Sequence, residues 1–252
     1  MFLDELAIRC SMITKTRFII LICLVIYFLS TQMSSFCQIL VDDSIFYQMK
    51  SRFDQIHDYQ CVVKSYTADE KNERNIIFKY YFKKPKFVRM EVIEGEHPGT
   101  ILIYNPNLKP GKVCIKPGNF LANALIKLFG HNCLDLDHKW VCDLRGYGVH
   151  QSDWGWYIAE HLGMARILEN NYTVSALGHE TVNGIETALF QINSMIPEIT
   201  HSIRLEKIWV DESTFFPVKF EQYDTAGRLV LLSTFSDLIL DLDLEKKIYA
   251  NK

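Results

Sequence analysis

The residues best placed for chemistry in this 252-residue chain are few, and each also has a plainer use. The stretch Asp135-Leu136-Asp137-His138 sets oxygen and imidazole donors at alternate positions, with His131 and Cys133 just before it. Alternate side chains of a strand share a face, so such a run could gather round a metal ion, although a solvated acidic loop is its commoner use. His150 and Asp153 stand three apart ahead of an apolar stripe and could act as an acid/base pair. Asp153 serves equally well as a helix N-cap. The other Ser, His and Asp residues have no spacing that joins them in a triad, and the sequence holds no G-x-S-x-G, P-loop, G-x-G-x-x-G or H-E-x-x-H. The expectation is a protein that is not an enzyme, with no catalytic residue, no metal and no cofactor.

Composition narrows the class further. The net charge is -3, with Lys and Arg scattered among Asp and Glu, so no basic stripe offers a nucleic acid a landing surface. Near the start, Lys15 and Arg17 precede the apolar run Phe18 to Leu29 and a small polar stretch from Ser30 to Ser35. This is the order of a secretory signal, and the run is shorter than the ~20 residues of a membrane span. Residues 1–37 are therefore expected to be a signal peptide cleaved near Cys37, with Met12 as an alternative start that would leave 1–11 untranslated. An uncleaved anchor, or a lipoprotein modified at Cys37, is the lesser alternative. Residues 38–252 are expected to form one monomeric domain. Export would leave Cys61, Cys114, Cys133 and Cys142, which allow three pairings; Cys133 with Cys142 closes the shortest loop, and no C-x-x-C is present.

Those groups must be positioned by elements the periodicity reveals. Asp42, Asp43 and Ser44 can cap a helix carrying Ile45, Met49, Phe53 and Ile56 on one face. From Tyr59 onward the period is two: Phe78, Tyr80 and Phe82 oppose Lys79 and Lys83, while Val88, Met90 and Val92 oppose Arg89 and Glu91, with Lys84-Pro85 turning between them. Further pairs fall at 100–104 with 112–116, and at 173–182 with 185–193 across Asn183-Gly184, a strong two-residue hairpin signal. A strand within 134–144 and strands at 203–211, 217–224 and 228–236 follow. Trp154, Ile158, Leu162 and Ala165 mark a second amphipathic helix, in which Trp154, Trp156 and Tyr157 could form an exposed aromatic patch for a partner protein. Between the strand blocks, 119–129 reads as a helix apolar nearly all round, with Phe120, Leu121, Leu125, Leu128 and Phe129 on its broad face. The fold class is α+β: a large curved antiparallel sheet of roughly nine to eleven strands, forming an open half-barrel with two or three helices as lid or plug. A sheet that wide leaves a groove that so few helices do not fill.

The segments "YYFKKPKFVRMEV" (80–92), "GTILIYNP" (99–106), "KVCIKP" (112–117), "VNGIETALFQI" (182–192) and "KIWVDESTFFPVKFEQYDTAGRL" (207–229) resemble the LolA-like proteins of the bacterial envelope, across nearly all of 40–240. The resemblance implies a periplasmic or otherwise exported protein that carries or senses a lipid or lipoprotein acyl chain. It implies ligand contacts from Phe120, Leu121, Leu125, Leu128, Phe129, Val88, Met90 and Val92, with Lys84 and Arg89 as a polar part of the wall. Lys84 stands where the family's basic-Pro pattern has arginine, and 130–170 is additional material. The alternative implied is an envelope sensor or scaffold that binds another envelope protein through the same fold.

Overall fold

In the computed structural model, residues 44–119, 132–196, 199–200 and 202–249 are described, and all fall within the compact unit Asp42–Lys252. The described elements are α1 (Ser44–Gln55), β1 (Asp58–Ala68), β2 (Glu73–Lys83), β3 (Phe87–Gly95), β4 (Ile101–Tyr104), β5 (Lys112–Lys116), β6 (Cys133–Asp135), α2 (Trp154–Leu168), β7 (Tyr172–Val182), β8 (Ile185–Ser194), β9 (Ile203–Asp211), β10 (Pro217–Asp224) and β11 (Leu229–Leu240). Neither helix among the described residues is long and apolar enough to cross a membrane.

All eleven strands join one antiparallel sheet in the order β6-β5-β4-β3-β2-β1-β11-β10-β9-β8-β7. Two meanders are thus sewn together by the first and last strands, and β6 and β7 become the two edges among the described strands. The sheet stays open. Local chemistry explains the hairpins. Asn183 and Gly184 both take positive φ at the β7–β8 turn, as a two-residue hairpin requires. Asp224 accepts from Ala226 N and Arg228 N, both at 2.9 Å, to turn β10 into β11. Register shifts at Gln60/Val62, Ile77/Phe78 and Ala176/Gly178 interrupt the ladders locally, as bulges that bend and twist a strand do.

Alternation then sorts the strands into faces. On the concave face, Tyr59, Phe82, Val88, Val113, Val174, Ile208 and Val210 are buried in one large core with Ile45, Phe46, Met49, Trp154 and Ile158 of the helices. On the convex face, Phe87 and Ile103 pack against Tyr249, which follows the last strand.

This arrangement decides one question the sequence left open and corrects two expectations. The disulfide joins Cys114 to Cys133, because β5 and β6 place those residues directly opposite each other; Cys61 and Cys142 are free thiols. The strand expected within 134–144 ends at Asp135, since Lys112 draws Asp135 outward and the chain then turns, with Cys142 making only an isolated bridge to Gly148. Trp154 is no exposed patch: it is 2% exposed, stacked 4.1 Å from the Tyr59 ring and 4.4 Å from Phe216. Burying that indole against two rings removes far more apolar surface from water than leaving it on the helix exterior.

Candidate functional site

α1 and α2 cover only part of the concave face. Over β1 to β5 and the adjoining stretch of β11 the sheet is left facing a cavity of about 890 Å³. Its floor carries Val63, Ile76, Phe78, Met90, Val92, Leu102, Ile115, Leu231 and Phe235, all in the inward phase of their strands. The opposite wall is the 139–152 segment, with Trp140, Val141, Tyr147 and Val149, continuing into Trp154, Trp156 and Tyr157 at the start of α2. The exposed rim bears Glu96, His97, Lys139 and Trp140, and Arg74 pairs with Glu96 at 3.1 Å.

The wall is held by short-range devices. Asp143 accepts from Arg145 N and Tyr147 N at 2.9 Å each, closing a tight turn in which Gly146 adopts φ +90, a conformation side chains disfavour. A turn of 3₁₀ helix at Val149–Gln151 leads to Asp153, which caps α2 by accepting from Trp156 N at 2.9 Å. Gly155 then lets α1 approach: a Cβ there would lie 2.5 Å from the Phe53 ring.

One corner of the cavity is polar. Arg145 donates to Gln222 Oε1 and, through Nη2, to Asp143 Oδ2 at 3.0 Å. Gln222 Nε2 donates in turn to Glu206, which also accepts from Tyr157 OH and lies 3.3 Å from His161 Nε2. His161 Nδ1 is bonded to Tyr172 OH and its ring stacks 4.8 Å from Phe46. Burial alone would push the Glu206 carboxyl up, but the adjacent His161 and the bonds from His161, Tyr157 and Gln222 outweigh it and hold it low. Glu160, on the cavity side of α2, is pushed up to about 7 by burial; His161 and Arg145 oppose that rise and Glu206 adds to it.

Of the residues singled out in the sequence, Met90 and Val92 border the cavity. Val88, one turn of the pleat away, is fully buried in the helix-covered core. Lys84 and Arg89 are not among the lining residues. Lys84 Nζ donates to Phe53 O at 2.6 Å and Asp54 O at 3.0 Å at the end of α1, and Arg89, on the convex face, reaches Glu91 and Ile248 O. Phe120, Leu121, Leu125, Leu128, Phe129, His131 and the 1–37 segment lie outside the described residues. His150 and Asp153 are both partly withdrawn from water: burial lowers the His150 pKa and raises that of Asp153, whose second oxygen is 3.9 Å from Lys86 Nζ. Among the described residues no group of three or more His, Cys, Asp or Glu could hold a metal. The polar corner was missed in the sequence, although Glu206 and Gln222 stand in the same strand phase as Ile208 and Phe220, where a polar side chain is out of place.

Among the described residues, the sheet is an open antiparallel half-barrel, covered by helices over part of its concave face and hollow over the rest. No family model matches the chain, and no curated protein matches it. Among solved structures, the chain is similar to an uncharacterized conserved protein from Thermus thermophilus (8% identity, TM-score 0.49, covering 82% of this chain and 93% of that one). It is similar to the lipoprotein LppX of Mycobacterium tuberculosis (10% identity, TM-score 0.45, 81% and 98% covered). A LolA superfamily protein from Nitrosomonas europaea is similar too (14% identity, TM-score 0.34, 84% and 98% covered). Likenesses this remote carry nothing about what the protein does.

Proposed function

We propose that the protein is an exported, non-enzymatic binding protein that holds an apolar ligand, a lipid or a lipoprotein acyl chain, in the cavity on the concave face. The observation that supports this reading is a cavity of about 890 Å³ floored by inward-facing aliphatic and aromatic side chains in a fold large enough to have filled it. Ligand pockets run to roughly 300–1,000 Å³ and are mostly apolar with a few polar groups, a description this cavity meets. An acyl chain of about 14 carbons, at ~0.8 kcal/mol per buried CH₂, offers on the order of 11 kcal/mol before the losses of ordering, enough for reversible carriage. Met90 and Val92 serve as contacts on the sheet, and Phe120, Leu121, Leu125, Leu128 and Phe129 are proposed as further apolar contacts.

Native mass spectrometry of protein taken from an envelope fraction tests the reading. The expected result is an adduct of lipid mass that organic extraction removes. Protein that arrives empty and fails to take up a fluorescent apolar probe would overturn it.

A further inference from the structure

The polar corner lies where α2, the 143–147 turn, β9 and β10 meet, and its groups are not equally committed. Arg145 is engaged by Asp143 and Gln222, and His161 sits between Glu206 and Tyr172. Glu206 is engaged by Tyr157, Gln222 and His161. Glu160 is the exception. Its side chain borders the large cavity, and it makes no hydrogen bond or ion pair among the described residues. A carboxylate at the wall of an apolar space with no donor is a cost that something in that space can remove.

We propose that the natural ligand is an amphiphile whose polar end is a cationic amine, seated against Glu160 with its apolar chain along the floor formed by Phe78, Met90 and Leu102. This rests on the apolar-ligand reading and names the chemistry of the head. A free carboxylate head fits poorly: it would bring a further anion beside Glu160 and Glu206, and Asp143 already neutralises the Arg145 guanidinium. An ammonium supplies the missing donor. It also meets aromatic faces, since Tyr147 and Trp156 line the same corner with ring centroids 5.7 Å apart in an edge-on pair.

The charge state of Glu160 makes the seat dependent on pH. The groups facing it are His161 on its own helix, Arg145, Asp143 and Tyr147 from the turn, Glu206 and Arg204 from β9, and Tyr172 from β7. Burial keeps the Glu160 carboxyl near neutrality in its titration, so an amine binds best above that range, where the carboxylate is ionised, and loses its advantage on acidification.

Calorimetric titration of the purified protein with dodecylamine, dodecanol and dodecanoate separates head from chain. At about pH 8 the amine is expected to bind about tenfold tighter than the alcohol, and the carboxylate weaker than both. Glu160→Gln is expected to bring the amine to within about twofold of the alcohol, and lowering the pH to about 5.5 to shrink the wild-type preference in the same way. Dodecanol binding with no preference for the amine, or a preference that survives Glu160→Gln, overturns the head assignment and leaves the apolar cavity standing. Failure of all three chains to bind overturns both.

Discussion

The two halves of the sheet begin from the same pattern and end differently. Strands β7 to β10 and β1 to β5 both alternate apolar and polar residues, and each sends some into the helix-covered core, Val174, Ile208 and Val210 from the first and Val88 and Val113 from the second; yet only the second leaves a run, Phe78, Met90 and Leu102, half-buried at the edge of a hollow. The strands do not distinguish the halves; the layer laid over them does. α2 brings Ile158 and His161 down onto the first and sets Trp154, stacked on Tyr59 of β1, at the border of the two, whereas the 139–152 segment arches over the second with a tight turn and a short 3₁₀ turn. A packed layer makes a core, and an arched one makes a container.

This contrast can be broken by substitution. Trp154→Ala in the packed layer should cost about 3–5 kcal/mol in denaturant unfolding, as loss of a buried aromatic does, while Met90→Ala should cost about 1 kcal/mol or less. Equal costs would mean that the hollow is filled. Enlargement reverses the logic: Ile208→Phe should destabilise by about 1–3 kcal/mol through overpacking, but Leu102→Phe should stay within about 0.5 kcal/mol and weaken uptake of an apolar probe.

The two carboxylates give the contrast an opposite pH sign. Glu206, held low in the fold, contributes stability that is present above its unfolded pKa of 4.5 and lost as the pH falls through its folded value. Glu206→Gln should therefore cost about 1.5 kcal/mol near neutrality and flatten the acid side of a melting-temperature profile. Glu160 is the reverse, because its pKa is raised from 4.5 to about 7: the fold loses stability as the pH rises through that window. Glu160→Gln should raise stability by about 1 kcal/mol at about pH 8, after allowance for solvent screening, and leave it unchanged at about pH 4. A gain at both pH values would place the effect in packing instead of charge.

Most of the architecture was legible because it is local. The stripe at Ile45 and Met49, the alternation from Phe78 to Val92 and the Asn183-Gly184 turn each depend on neighbours a few residues away, and α1, β2, β3 and the β7–β8 hairpin lie where those signals put them. Tertiary facts were not legible. Cys133 pairs with Cys114 instead of Cys142 because of the β5–β6 register, which no spacing encodes. Trp154 stood on the apolar stripe of α2, which holds, but could also be offered as an exposed anchor because its partners, Tyr59 and Phe216, come from distant parts of the sequence. Arg89 was expected in a wall, but its strand phase, set by Val88 and Met90 facing inward, sends it to the convex side. The clue to the polar corner was available in Glu206 and Gln222, two hydrophilic residues on an apolar phase, and only the fold shows that they meet.

The seam between β1 and β11 has a consequence for how the chain reaches this shape. Every other strand pair in the sheet joins neighbours in sequence, and each forms as a short-range hairpin or closes over the loop between them. The seam instead pairs Val63 with Phe235 and Tyr59 with Leu240, so it can close only after nearly the whole domain exists. Folding is then expected to run as two meanders that form separately and a late, slow docking step, since the entropy of closing so long a loop is lost before any seam contact repays it. Until that step, both β1 and β11 are unpaired edges, the stage at which a chain of this design is most exposed to aggregation.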